Sequence, residues 1–190
     1  MRTPAEPFVI YDLEYTAWPD SAARGWTAPG EHREVVQLAA LRVTPSGGFV
    51  ETDTLDALTR PVLNPVLSTY FVDLTGISNA ALARHGHPFA AVLNRFIDFC
   101  ADAPGGIWSY GPDHLVLAET ACIHATRLPD LDFRDTRDAV RAAGHDPSAY
   151  TSGTLHRAVA VALDGRPHDA LHDCRSQLAF LRRIALAARD

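Results

Sequence analysis

Lysine is absent from this 190-residue chain, and all 17 basic residues are arginine. The bias is that of GC-rich coding sequence and carries no argument about phosphate recognition. Cations are also the minority, since 23 Asp and Glu give a formal net charge of −6. That balance argues against a protein that grips duplex nucleic acid along a broad basic face, where affinity comes from many neutralised phosphates. It leaves room for a small acidic pocket that holds cations, which then meet phosphate. Cysteine is scarce: Cys100, Cys122 and Cys174 are far apart, odd in number and free of any CxxC pair. They read as reduced residues, with no disulfide framework and no thiolate metal site. No apolar run approaches the roughly 18 residues of a transmembrane helix. Met1 to Pro7 lacks the apolar core of a signal peptide, so the expected location is the cytoplasm, with no membrane partner. Internal repeats and low-complexity tracts are missing too.

What is present belongs to an ordinary globular protein, 47% hydrophobic and 21% charged. Its length suits one domain over residues 1–190, with a core from about 7 to 188. Phe8 to Tyr15 reads as a first strand, Glu34 to Val43 as a second, and Gly48 to Leu55 as a third after the "TPSGG" turn, an antiparallel meander. From Asn64 to Ala83 the pattern is loop and short helix, where Pro65 suits an early helical position and Ser78 an N-cap. Pro88 to Cys100 carries apolar residues at helical spacing. "GGIWSYG" reads as a short buried strand, followed by a helix from about Pro112 to Ala125 and a fifth strand over Asp132 to Thr136. Helices are expected over Thr136 to Ala143, Ser152 to Leu163 and His168 to Ala188. The segment Pro19 to Glu31, rich in Gly, Pro and Ala, is expected to be a mobile loop. The whole is an α/β class protein, a mixed five-stranded sheet covered by helices.

The apolar first strand ends in "YDLEYTAW". Residues two apart in a strand share a face, so Asp12 and Glu14 project together while Leu13 points away. Two ionised carboxylates about 4 Å apart repel by about 4 kcal/mol at an effective dielectric near 20. Such a pair needs a shared proton, an arginine or a metal ion, unless the tripeptide simply lies at a solvated strand end. Asp113 follows "WSYG" at the exit of a buried strand, where α/β sheets commonly place a site; a plain helix N-terminal acid would look the same. "HDALHDC" puts His168 five residues before Asp173 at the start of the last helix, either bordering one cavity or merely solvated.

Taken in order, Asp-x-Glu, Asp, and His with Asp five residues later resemble the motifs of the DEDDh 3′-to-5′ exonucleases, the DnaQ-like branch of the RNase H-like fold. The resemblance runs over nearly the whole chain, helped by "EVVQLAAL", "FVDLTGIS" and "SGTLHRA". The "DLEYTAW" form is similar to the branch that includes the KapD and histone-mRNA exonuclease-like proteins. One departure matters: "SYGPDHL" puts Asp113 two residues after Gly111, with His114 at the spacing usual for the second-motif aspartate. Asp113 is chosen because a carboxylate suits the ligand role; His114 stays open.

The resemblance implies two divalent cations, Mg²⁺ or Mn²⁺, held by Asp12, Glu14, Asp113 and Asp173 in an all-oxygen cage. The pair of ions would clamp the attacking and leaving oxygens of an in-line displacement. His168 would take a proton from the attacking water, and nucleoside 5′-monophosphates would leave from single-stranded 3′ ends of RNA or DNA. Thr16 and Trp18 are candidates for substrate contact, Trp18 by base stacking. Two other readings remain. His168 and His172 have the i, i+4 spacing of zinc helices, which would suit a His-based metallophosphohydrolase. "SQLAFL" in the last helix would suit a catalytically silent interaction module, although core packing accounts for Leu178 and Leu181. With 17 residues after Asp173, a free-standing nuclease is expected over a polymerase-bound subunit.

Overall fold

Phe8–Tyr15 forms β1, and every residue from Phe8 to Glu14 is buried. A strand buried on both faces must lie in the interior of a sheet, and β1 is the middle of five, ordered β3-β2-β1-β4-β5. The computed structural model describes residues 4–187. β2 (Val35–Thr44) and β3 (Val50–Leu58) extend the sheet antiparallel on one side. β4 (Ile107–Ser109) and β5 (Phe133–Asp135) run parallel to β1 on the other. The mixed five-stranded sheet expected from the sequence is thus present.

Several boundaries differ from expectation for local reasons. β3 starts at Val50 because Gly47 and Gly48 are spent in the turn, at φ 77° and 95°, where a missing Cβ removes the usual penalty. The helices are α1 (Ser21–Arg24), α2 (Thr69–Thr75), α3 (Asn79–His85), α4 (Phe89–Cys100), α5 (Asp113–Ile123), α6 (Thr136–Ala142) and α7 (Ala170–Ala187). Ser78 does cap α3, accepting from the Ala81 N–H at 3.1 Å, and Ser68 does the same for α2. Pro65 is not helical; it sits in the loop before α2.

The helix expected over Ser152 to Leu163 is instead a 3₁₀ run, Ser152–Val159, closed by Ala160 at φ 54°. A three-residue repeat puts Ser152 and Leu155 on one side, toward α7. α7 begins at Ala170 because His168 adopts left-handed backbone, φ 65°, and Asp169 Oδ1 then accepts from the Leu171 N–H at 3.0 Å. Its expected end, Ala188, lies outside the described residues. The segment 19–31 contains α1 and an ion pair between Arg24 and Glu31. No helix among the described residues is long and apolar enough to cross a membrane, and Cys100, Cys122 and Cys174 are free.

The alternation of β1 sorts its side chains between two helical layers. Val9, Tyr11 and Leu13 pack with Phe89, Leu93 and Phe96 of α4 and Leu117 of α5. Phe8 and Ile10 pack with Cys174, Leu178, Phe180 and Leu181 of α7. The period of two therefore delivers Asp12 and Glu14 to the α7 side. Each large apolar residue of α7 that is buried contributes roughly 1.5–3 kcal/mol, so a few of them outweigh a carboxylate repulsion of about 4 kcal/mol. Leu178 and Leu181 of "SQLAFL" are spent in this core.

Glu34, fully buried just before β2, anchors the approach to α2. Its carboxylate accepts from the backbone N–H groups of Val62, Leu63 and Asn64 at 2.6, 2.9 and 2.8 Å. Glu34→Ala strands those donors and is expected to cost about 3 kcal/mol. A urea titration checks this, and a loss below about 1 kcal/mol would contradict the anchoring role.

Candidate active site

The carboxyl ends of β1 and β4 lie at the same edge of the sheet because the two strands are parallel. Asp12 and Glu14 come from the end of β1, next to a β-bulge between Glu14 and Tyr15 in the pairing with β2. Bulges commonly re-aim side chains beside functional sites. Asp173 reaches the same point from the first turn of α7. Asp12, Glu14 and Asp173 are only 5%, 7% and 2% exposed, and one oxygen from each lies within 4.8 Å of the others.

Burial and mutual charge disfavour ionising this cluster. Burial first, then the charges of Asp173, Asp113 and Glu14, push Asp12 well above the usual carboxylate range. Burial first, then Asp173 and Asp113, do the same to Glu14. Burial pushes Asp173 up to about 6, even though Ser152 Oγ donates to its Oδ2 at 2.9 Å. Asp173 Oδ1 is buried without a hydrogen-bond partner. Gly153 leaves the space beside it, since a Cβ there would lie 2.3 Å from Oδ1. An all-oxygen set with an unpartnered buried carboxylate oxygen fits a hard divalent cation.

The cluster forms the floor of a cavity of about 430 Å³ that Asp113 and His168 also line. His168 Nδ1 is 4.0 Å from Glu14 Oε2, and its side chain is 42% exposed. Burial, and then the charge of Arg166, lower its pKa, which favours neutral imidazole near pH 7. Asp113 stands in the first turn of α5 and is half-buried. Its approach is fixed by Gly111, φ 112°, whose N–H donates to Asp135 Oδ1 at 3.1 Å. Burial first, then Asp135, push Asp113 up to about 7.

The family RNase_T, described as exonuclease, matches residues 9–181. The chain belongs to this exonuclease family. Comparison with curated proteins gives no match. Among solved structures, the nuclease domain of 3′hExo, a DEDDh family member bound to rAMP, is 18% identical with a TM-score of 0.80, over 96% of this chain and 93% of that one. Cell-death related nuclease 4 (CRN-4) is 19% identical with a TM-score of 0.76, over 97% of this chain and 65% of that one. The zinc-bound complex of E. coli exonuclease I with single-stranded DNA is 16% identical with a TM-score of 0.72, over 97% of this chain and 41% of that one. The family match and the shared fold bear out the resemblance to DEDDh exonucleases.

In this exonuclease the irregular second motif puts its two candidates in different places. Asp113 lines the cavity, whereas the His114 ring stacks on Phe133 with centroids 5.6 Å apart and planes 21° apart. Asp113 is not among the three acids whose oxygens converge within 4.8 Å. His172 does not pair with His168: its ring nitrogens lie 3.1 Å from the carbonyls of Asp164 and Gly153, which engages both.

Thr16 and Trp18 are not among the residues lining the cavity. The Thr16 hydroxyl donates to the His32 carbonyl and accepts from the Glu34 N–H at 3.0 Å, so it closes the base of the 17–33 loop. The half-buried Trp18 leads into α1, its N–H donating to Ser21 Oγ at 3.1 Å. The aromatic lining comes instead from Tyr15, Trp26, Tyr70, Tyr110 and Tyr150. Trp26 is held by its indole N–H on the Thr16 carbonyl at 2.9 Å and by Tyr15, ring centroids 5.4 Å apart. The only signal in the sequence is a tryptophan isolated in a Gly- and Pro-rich loop.

The raised carboxyl pKa values set a pH dependence. A carboxyl whose pKa is higher folded than unfolded stabilises the fold below its unfolded value and loses that contribution as pH rises through the folded one. For Asp173 and Asp113 the window opens near 3.8 and ends at about 6 and about 7. Metal-free protein should therefore lose Tm as pH rises from 4 to 7 through these groups, and Mg²⁺ or Mn²⁺ should restore it at pH 8 with little effect at pH 4. Calorimetry with and without cation checks this; a cation effect independent of pH would contradict it.

Proposed function

We propose that this exonuclease is a single metal-dependent domain that removes nucleotides from single-stranded 3′ ends of RNA or DNA and releases nucleoside 5′-monophosphates. The observation that carries the reading is the convergence of three buried carboxylates beneath His168 in an aromatic-walled cavity. Asp12, Glu14 and Asp173, with Asp113 at the rim, are the residues that would hold two divalent cations, Mg²⁺ or Mn²⁺. When bound, the cations supply charge that stabilises both the attacking and the leaving oxygen of the phosphodiester.

The chain's own residues do the rest. His168, neutral near pH 7, accepts the proton of the attacking water. Glu14, 4.0 Å away, faces the resulting imidazolium with opposite charge. Ser152 holds the Asp173 carboxylate through its hydroxyl. Tyr15, Trp26 and Tyr70 offer ring faces on which a terminal base stacks without regard to sequence. A half-enclosed cavity with aromatic walls suits a splayed single-stranded end better than a stacked duplex. The excess of acidic residues makes the cations, and not a basic surface, the main attraction for phosphate. The three free cysteines suit a reducing compartment such as the cytoplasm.

Matched 3′-labelled and 5′-labelled RNA and DNA strands, digested by wild type and Asp12→Ala, test the proposal. Mononucleotide release from the 3′ label by the wild type alone is expected. Release from the 5′ label first, or full activity of Asp12→Ala, would overturn it. His168→Ala is expected to lower kcat about 10²–10⁴-fold. Trp26→Ala is expected to raise KM about tenfold, the scale of one lost base stack, as read from steady-state kinetics on an oligonucleotide.

A further inference from the structure

His168 stands on the stretch Ala160–Asp169, which has no regular structure and leaves the common backbone regions at three places, with φ 54° at Ala160, 117° at Gly165 and 65° at His168. A side chain carried by such a stretch is positioned only as well as its loop is held. At one end the Asp164 carbonyl meets His172 Nδ1 at 3.1 Å, and at the other Asp169 caps α7. Between them Arg166 reaches across to α2, where its Nη2 donates to the carbonyls of Asp73, at 3.2 Å, and Leu74.

Those carbonyls are among the last of a helix, where backbone acceptors lack partners and the dipole favours a cation. The approach is built into the helix end. Gly76 caps α2 at φ 78°, and a Cβ there would lie 2.7 Å from Arg166 Nη1. The positive φ favours glycine there, and the bare Cα leaves the guanidinium room to approach. α2 is also the wall of the cavity that carries Tyr70 and Leu74, so Arg166 joins the loop bearing the histidine to the wall facing the nucleotide. Arg166 itself is exposed and is not among the residues lining the cavity.

We propose that Arg166 is a positioning residue: by bonding the terminal carbonyls of α2 it latches the His168 loop to the nucleotide wall and holds the imidazole over Glu14. The assignment rests on His168 being the base. A displacement on the scale of 1 Å at a reacting group is worth about 10²-fold in rate, which is the effect the latch would control.

Steady-state kinetics with Mg²⁺ on a single-stranded oligonucleotide separate the roles. Arg166→Ala is expected to lower kcat about 10²-fold with KM little changed. Arg166→Lys, which keeps a donor for the same carbonyls, should recover most of the loss. The double variant Arg166→Ala/His168→Ala should be no slower than His168→Ala alone, because the two residues act as one unit. Amide hydrogen exchange should quicken at residues 165, 166 and 168 in Arg166→Ala and stay unchanged in β1. Multiplying losses in the double variant would show Arg166 acting on the substrate directly and overturn the proposal. So would an unchanged kcat in Arg166→Ala. Full activity of His168→Ala would instead remove the base assignment, and this proposal with it.

Discussion

Three carboxylates buried at one point repel one another, and the architecture around them is organised to hold them there. Asp12 and Glu14 cannot move apart because they are successive same-face residues of a strand bonded on one side to β2 and packed between two helical layers. Asp173 cannot retreat because Cys174 and Leu178 anchor α7 in the core below it. A hard divalent cation held there would relieve the Coulomb cost of ionising all three.

The support around the acids is built from groups that each serve two elements. Gln37 of β2 accepts from the Ala170 N–H at 3.1 Å, which fixes the start of α7 one turn before Asp173, and donates to Asp56 of β3 at 3.0 Å. The run Ser152–Val159 contributes the Ser152 hydroxyl and the empty space at Gly153 to Asp173, while its His156 N–H rests on Ser176 of α7. Rigid floor and separately held walls divide the work. The floor lies on the sheet and α7; the walls come from α2, the 17–33 loop and the turn before residue 152.

What could be read from the sequence follows from how local its cause is. β1 was legible because burial on both faces leaves an unbroken apolar run, and the shared face of Asp12 and Glu14 follows from a period of two. Asp173, which joins these acids, lies 161 positions after Asp12 and 159 after Glu14, and its pairing with them follows only from the resemblance to a family. The sequence shows a helix from Ser152 but not that it winds as a 3₁₀ run ending at Val159, because the tight winding answers to α7, which no local pattern encodes. The placement of Trp26 in the cavity wall and of the Thr16 hydroxyl away from it was not legible for one reason: loop side chains are placed by tertiary partners, here the Thr16 carbonyl for Trp26 and the His32 carbonyl for Thr16. Asp113 and His114 could not be separated by spacing, since a one-residue shift at a helix start turns a side chain by about 100°; Phe133 supplies the stacking partner that takes His114 elsewhere.

The distance along the chain between Asp12 and Asp173 has a consequence in time. Synthesis proceeds from the N-terminus, and local pairs such as β1, β2 and β3 can associate while the rest is still being made. A partly made chain therefore carries two acids of the cluster and lacks both the third and the histidine. The acidic cluster is therefore complete only once α7 has packed onto β1, so the site depends on a contact between residues far apart in the chain.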